Sequence, residues 1–164
     1  MTTLAEELAH PGAQELLRTQ SLARLAYNGA DGFPRVIPIG FHWEGGRFLM
    51  TTAPTAPKLR ALAARPQVAL SIDTAEPTAS SLNPSTRSLL VRGLATFETT
   101  DAALEYYIAN SLGGLEGGDR QAADARLRSI HREMSLITIE PTWARFYDFG
   151  AGRVPAFLAR LMEE

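Results

Sequence analysis

The sequence contains no cysteine, which excludes disulfides, thiolate metal sites and cysteine nucleophiles. Lysine is almost as scarce: the 16 basic residues comprise 15 Arg and a single Lys, Lys58. No apolar run approaches the ~20 residues needed to span a bilayer. The opening Met1-Thr2-Thr3-Leu4-Ala5-Glu6-Glu7 lacks the basic-then-apolar pattern of a signal peptide. A net charge of −2 argues against a nucleic-acid surface held by bulk positive potential. These absences predict a cytoplasmic protein with no membrane and no nucleic-acid partner. What remains is 164 residues, 45% hydrophobic and 21% charged, enough for one core in a single domain over 1–164.

Residues 4–18 read as a helical N-terminal segment, broken at His10-Pro11-Gly12, with Leu16 and Leu17 inward. Leu22 to Tyr27 reads as a strand ending in the turn cluster Asn28 to Gly32. Arg35 to Glu44 reads as one long strand, turned by Gly45-Gly46 into a strand from Arg47 to Thr52. A helix is expected over 55–65 with Thr55 as its N-cap, then a strand through Val68, Leu70 and Ile72. The stretch from Thr74 to Thr86 reads as a surface loop, and Arg87 to Phe97 as a strand with a bulge or close approach at Gly93. Asp101 and Asp119 open two helices of an insertion over about 100–133. Ser135 to Glu140 and Trp143 to Phe149 read as two strands parted by Pro141. A short C-terminal helix over 154–163 is expected to bury Phe157, Leu158 and Leu161. Short turns among the first strands predict α+β class: an antiparallel barrel of six or seven strands with peripheral helices.

Two segments could carry chemistry. The first is Met50-Thr51-Thr52-Ala53-Pro54-Thr55-Ala56-Pro57-Lys58, where a strand ends in two hydroxyls and a helix begins. Free N–H groups at the helix start, the Lys58 ammonium and the hydroxyls of Thr51 and Thr52 suit a phosphate. An ordinary capped helix with a solvated lysine is the plainer alternative. The second is Arg35 to Glu44. Period two puts Ile37, Ile39, Phe41 and Trp43 on a core face and leaves Val36, Pro38, Gly40 and His42 as a low surface for a flat ring. Arg35 reaches the same anion as Lys58 if the hairpin pairs the two strands; an edge strand blunted by Pro38 is the competing reading. His10, His42 and His131 have no metal-ligand spacing, so no metal is expected. There is no G-x-S-x-G elbow, and the glycines at 113–118 do not make a phosphate loop.

Taken in tandem, these segments with Val91-Arg92-Gly93-Leu94-Ala95 and Ile139-Glu140-Pro141-Thr142-Trp143 resemble the pyridoxamine 5′-phosphate oxidase-like superfamily over residues 16–150. The resemblance implies a split β-barrel homodimer with FMN at the interface. Arg35, Lys58, Thr51 and Thr52 would hold the cofactor phosphate, Val36, Ile37 and Pro38 would face the isoalloxazine, and Trp143 would approach from the partner chain. It implies an oxidoreductase whose hydride or electron chemistry belongs to the cofactor, with no catalytic side chain assigned. Departures point away from pyridoxamine phosphate itself. The family's oxidases carry lysine where this chain has Gly40, and an Arg-x-His near the C-terminus where this chain reads Asp148-Phe149-Gly150-Ala151-Gly152-Arg153-Val154-Pro155, with no histidine. A glutamine used by some members is replaced near Ser88. The expectation is therefore an FMN-binding oxidoreductase for another small organic substrate. The alternatives are an F420-dependent reductase, with Arg60 near the anionic tail, and a flavin or haem carrier with His42 as axial ligand.

Overall fold

The N-terminal apolar spacing forms two helices, α1 (Leu4–Ala9) and α2 (Pro11–Thr19), in a computed structural model that describes residues 2–74 and 85–162. Thr3 caps α1 reciprocally with Glu6: the Glu6 N–H donates to Thr3 Oγ1 at 3.2 Å, and the Thr3 N–H donates to the Glu6 carboxylate at 2.6 Å. Pro11 cannot extend α1 but suits the first position of α2, where His10 Nδ1 accepts the Gly12 N–H at 3.1 Å. Ala13, Leu16 and Leu17 lie on the buried side of α2. Burying two leucines is worth about 1.5–3 kcal/mol each, against about 0.5–2 kcal/mol for a cap. The apolar face, more than the cap, holds α2 in place.

The strands follow as β1 (Leu22–Asn28), β2 (Pro34–Gly40), β3 (His42–Glu44), β4 (Arg47–Thr52), β5 (Gln67–Asp73), β6 (Arg87–Thr99) and β7 (Ser135–Asp148). The later helices are α3 (Pro57–Ala64), α4 (Asp101–Ser111), α5 (Gly117–Ile130) and α6 (Ala156–Met162). The seven strands form one antiparallel sheet in the order β2-β1-β5-β6-β7-β4-β3. The expected long strand from Arg35 to Glu44 is in fact two, and they occupy opposite edges of that sheet. Phe41 joins them. Its ring packs 5.7 Å from that of Phe48 in the core, and its N–H leaves the ladder to donate to the Ser21 carbonyl at 3.2 Å. One residue thus carries the chain from edge to edge and closes the sheet into a split barrel. The alternation survives the break, since Ile39 and Phe41 are buried while Ile37 and Trp43 pack against the same core.

At the hairpin, Gly45 and Gly46 take φ of +57° and +77°, the left-handed pair that a two-residue turn between twisted strands requires. Several boundaries differ from the sequence expectation for identifiable reasons. The strands expected on either side of Pro141 are one strand, β7. The pairing with β6 shifts register between Arg92 and Gly93, so β7 passes the proline through a bulge rather than stopping. The N-cap of α3 is Ala56, without a side-chain bond, rather than Thr55. Thr100, not Asp101, caps α4 by accepting the Ala102 N–H, and α5 starts at Gly117, ahead of Asp119. Phe157 of α6 is exposed rather than inward. Most of the expected 74–86 loop, and the side chain of Leu161, lie outside what is described.

A buried acid ties the N-terminus to the sheet. The Glu7 side chain is 1% exposed. Its carboxylate accepts the Phe146 N–H at 2.8 Å, Arg153 Nη2 at 2.5 Å, Arg145 Nη1 at 3.1 Å and the Thr2 hydroxyl. Burial pushes the Glu7 carboxyl up, but the bonds from Thr2, Phe146 and Arg153, with the Arg153 charge, outweigh it and hold the pKa below the usual value. A carboxyl whose folded pKa is depressed stabilises the fold above its unfolded value of 4.5, and that stabilisation is lost as pH falls through the lower folded value. Glu7→Ala is therefore expected to cost about 3 kcal/mol in urea unfolding at pH 7, because it strands two arginines and a buried N–H. Repeating the titration towards pH 3 should shrink the gap between variant and wild type; an unchanged gap would mean that the carboxylate charge is not what holds α1.

Candidate cofactor site

Alternation along β4 separates the two threonines expected to act together. Thr51 shares the outer face of the strand with Leu49, which packs under α4, whereas Thr52 shares the inner face with Phe48 and Met50 and is buried. Only Thr52 meets the helix that follows: Lys58 Nζ donates to Thr52 Oγ1 at 2.8 Å. Register adds two hydroxyls that sequence spacing does not reveal. Thr52 pairs with Ser135 on β7, Ser135 pairs with Thr99 on β6, and the Ser135 and Thr99 hydroxyls lie 3.2 Å apart. Three hydroxyls therefore run across one end of the barrel beside a lysine.

The Lys58 ammonium is half-buried. Burial lowers its pKa from the usual value, and no carboxylate lies within ion-pair distance among the described residues. A cation held by a neutral hydroxyl has paid part of its desolvation without a counter-charge, which is the electrostatic condition for binding an anion.

Arg35 sits elsewhere. Because β2 pairs with β1 and not with β4, the condition for Arg35 to share an anion with Lys58 through strand pairing is not met. Arg35 Nη2 instead donates to Asp31 at 2.6 Å across the β1–β2 turn, and that guanidinium is the main reason the Asp31 carboxyl titrates below its usual value. Arg35 lines a cleft of about 410 Å³ against α3, together with Asp31, Arg60 and Arg65. Arg65 donates to the Gly29 carbonyl at 3.1 Å, and Arg60 has no ion pair or hydrogen bond among the described residues. The cleft thus carries three guanidinium groups against one carboxylate. Its walls include Pro57 and Ala61 of α3 but not Lys58.

The three expected ring-facing residues divide between faces. Val36 and Pro38 lie exposed on the outer face of β2, and Ile37 packs against the core. Trp143 is on the outer face of β7, paired with Arg92 of β6, whose guanidinium carbon stands 4.8 Å from the indole centroid. His42 turns its Nε2 to the Tyr106 carbonyl at 3.2 Å and its ring against that of Tyr106. At Gly40 a Cβ would fall 2.9 Å from Asn110 Nδ2, so a side chain there would require the Asn110 amide to shift. Among the described residues there is no group of three or more His, Asp or Glu placed to hold a metal, and no helix is long and apolar enough to cross a membrane.

The seven-stranded antiparallel sheet with its peripheral helices defines a split-barrel protein. A family model of pyridoxamine 5′-phosphate oxidase matches residues 9–148, and the chain belongs to that family. Solved structures agree on the fold. A conserved hypothetical protein from Mycobacterium tuberculosis aligns with TM-score 0.70 at 14% identity, covering 94% of each chain. The haem storage protein HutZ from Vibrio cholerae aligns with TM-score 0.60 at 19% identity, over 90% of this chain and 95% of that one. An F420 reductase aligns with TM-score 0.55 at 26% identity, over 80% of this chain and 94% of the other. No curated protein matches the sequence.

An uncompensated lysine predicts a simple ligand response. Inorganic phosphate should raise the Tm of the wild-type protein more than chloride of equal ionic strength. Lys58→Met should abolish that difference while leaving the Tm in chloride within about 2 °C, since the change removes a desolvated charge and keeps the stem. An equal phosphate response in both proteins would place the anion elsewhere.

Proposed function

We propose that this protein is a homodimeric FMN-dependent oxidoreductase acting on a small organic substrate other than pyridoxamine phosphate. The observation that carries the reading is the half-buried Lys58 ammonium on Thr52, without a counter-ion among the described residues, in a member of the pyridoxamine 5′-phosphate oxidase family. Lys58 and the Thr52 hydroxyl would hold the cofactor phosphate; Thr51 faces the other side of β4, and Arg35 would contribute only on giving up part of its bond to Asp31. Val36, Ile37 and Pro38 would offer β2 to the ring, and Trp143 would come from the second copy. The bound flavin supplies hydride transfer; this chain's residues bind it, orient it and exclude water. The outer face of β2, β1, β5, β6 and β7 supports the dimer, for Val36, Leu90, Leu94 and Trp143 stand exposed on it without a covering helix. Two positions argue against the oxidase's own substrate: Gly40 stands where the family's oxidases carry lysine, and Arg153 is held by Glu7 and the Phe146 carbonyl.

A second reading is an F420-dependent reductase. It is favoured by the free Arg60 in a cleft of three guanidiniums, which suits an extended anionic tail, and by the 26% identity to an F420 reductase. A haem carrier gains nothing from His42, whose Nε2 bond to Tyr106 it would have to break. Equilibrium titration of the purified protein with FMN and with F420, followed by absorbance, separates the readings. FMN should bind to the dimer, and Lys58→Ala should weaken that binding at least tenfold, the effect of one charge-assisted phosphate contact. Uptake of F420 alone, weakened by Arg60→Ala, would move the protein to the reductase reading.

A further inference from the structure

The outer face of the sheet holds a groove of about 390 Å³ that the phosphate corner does not involve. Its floor is flat because cross-strand register lines up Ala26 of β1 and Ala69 of β5, which pair directly, and then Arg92 of β6 beside Ala69. Asn28 and Gln67 bring side-chain amides to one end. The lining is otherwise mostly apolar, and its size falls within the usual range for a small-molecule pocket.

Arg92 is the one charge in it. Its guanidinium carbon lies over the Trp143 ring, 4.8 Å from the centroid, and it has no carboxylate partner among the described residues. The bulge fixes this arrangement. Arg92 pairs with Trp143 while Gly93 pairs with Pro141, leaving Thr142 as the extra residue, and Thr142 Oγ1 donates to the Arg92 carbonyl at 3.3 Å. The ring contact restrains the guanidinium while its N–H groups make no hydrogen bond among the described residues, so they remain available to the two oxygens of a carboxylate. We propose that this groove is the substrate site and that it selects a flat, apolar molecule bearing one carboxylate, with Arg92 as the residue that sets the preference. The inference rests on the reading above, because the groove lies on the face assigned to the second copy, which would close over the bound molecule.

The test uses benzoate and benzamide, equal in shape and different in charge, on the full-length protein without added cofactor. The indole N–H signals of the two tryptophans are followed by NMR, with Trp43→Phe assigning that of Trp143. Benzoate should shift the Trp143 signal saturably and at least tenfold more tightly than benzamide. Arg92→Gln should bring the two affinities together, and Arg92→Lys, which keeps the charge and loses the planar fork, should retain only part of the preference. Equal binding of both probes to the wild-type protein, no binding of either, or an undiminished benzoate preference in Arg92→Gln would each overturn the assignment. FMN uptake by the same samples is read separately by absorbance, so the flavin reading can fail while the groove stands, and the reverse.

Discussion

Everything in this fold depends on how the chain gets from one edge of its sheet to the other, and Phe41 does that in a single residue. A sheet with free edges exposes unpaired backbone, and a barrel removes most of that exposure by joining them. Here the closure is a side-chain event: a phenylalanine leaves the ladder because its ring is worth more in the core beside Phe48 than its backbone is in a strand. The closure determines what can lie near what. It sends β2 to pair with β1 and β4 to pair with β7, so the two ends of one apparent strand serve different parts of the molecule.

The charges follow from that separation. Arg35, on β2, is drawn into a cleft with Asp31, Arg60 of α3 and Arg65 just after it, whereas Lys58, on the first turn of α3, is turned to the end of β4. The buried acid of α1 is handled in the opposite way: the Glu7 carboxylate is met by both Arg145 and Arg153. The Glu7 carboxylate thus has its counter-charges at hand, whereas the Lys58 ammonium has only a hydroxyl among the described residues. The first fastens α1 to β7. The second is where an anion has most to gain.

Much of the fold was legible in the sequence because alternation and punctuation are strong local signals. Ile37, Ile39, Phe41 and Trp43 do share the core side, and Gly45-Gly46 does make the hairpin. What could not be read were events decided by partners distant in sequence. Nothing local says that a period-two run from Arg35 to Glu44 must break at Phe41, since the break is set by packing against β4. Likewise, Pro141 reads as a strand end until β6 is seen to absorb it with a bulge. At the site, the approach of Lys58 to Thr52 was legible from six residues of spacing, while the row from Thr52 through Ser135 to Thr99 needed the register of three strands. Opposite orientations of Thr51 and Thr52 follow from strand geometry alone once the strand is known to run straight through them.

Lys58 is the only lysine in the 164 residues, and its ammonium is held between solvent and the barrel end with its basicity reduced by burial. Lys58 is the one side-chain amine that an acylating reagent meets, distinct by mass from the α-amino group. Acylation at that nitrogen, located by peptide mass, is consequently a gauge of whether the barrel end is open or occupied, and it needs no engineered label. The arginine-rich composition, which leaves the surface cationic where it must be, also leaves it silent to the same reagent.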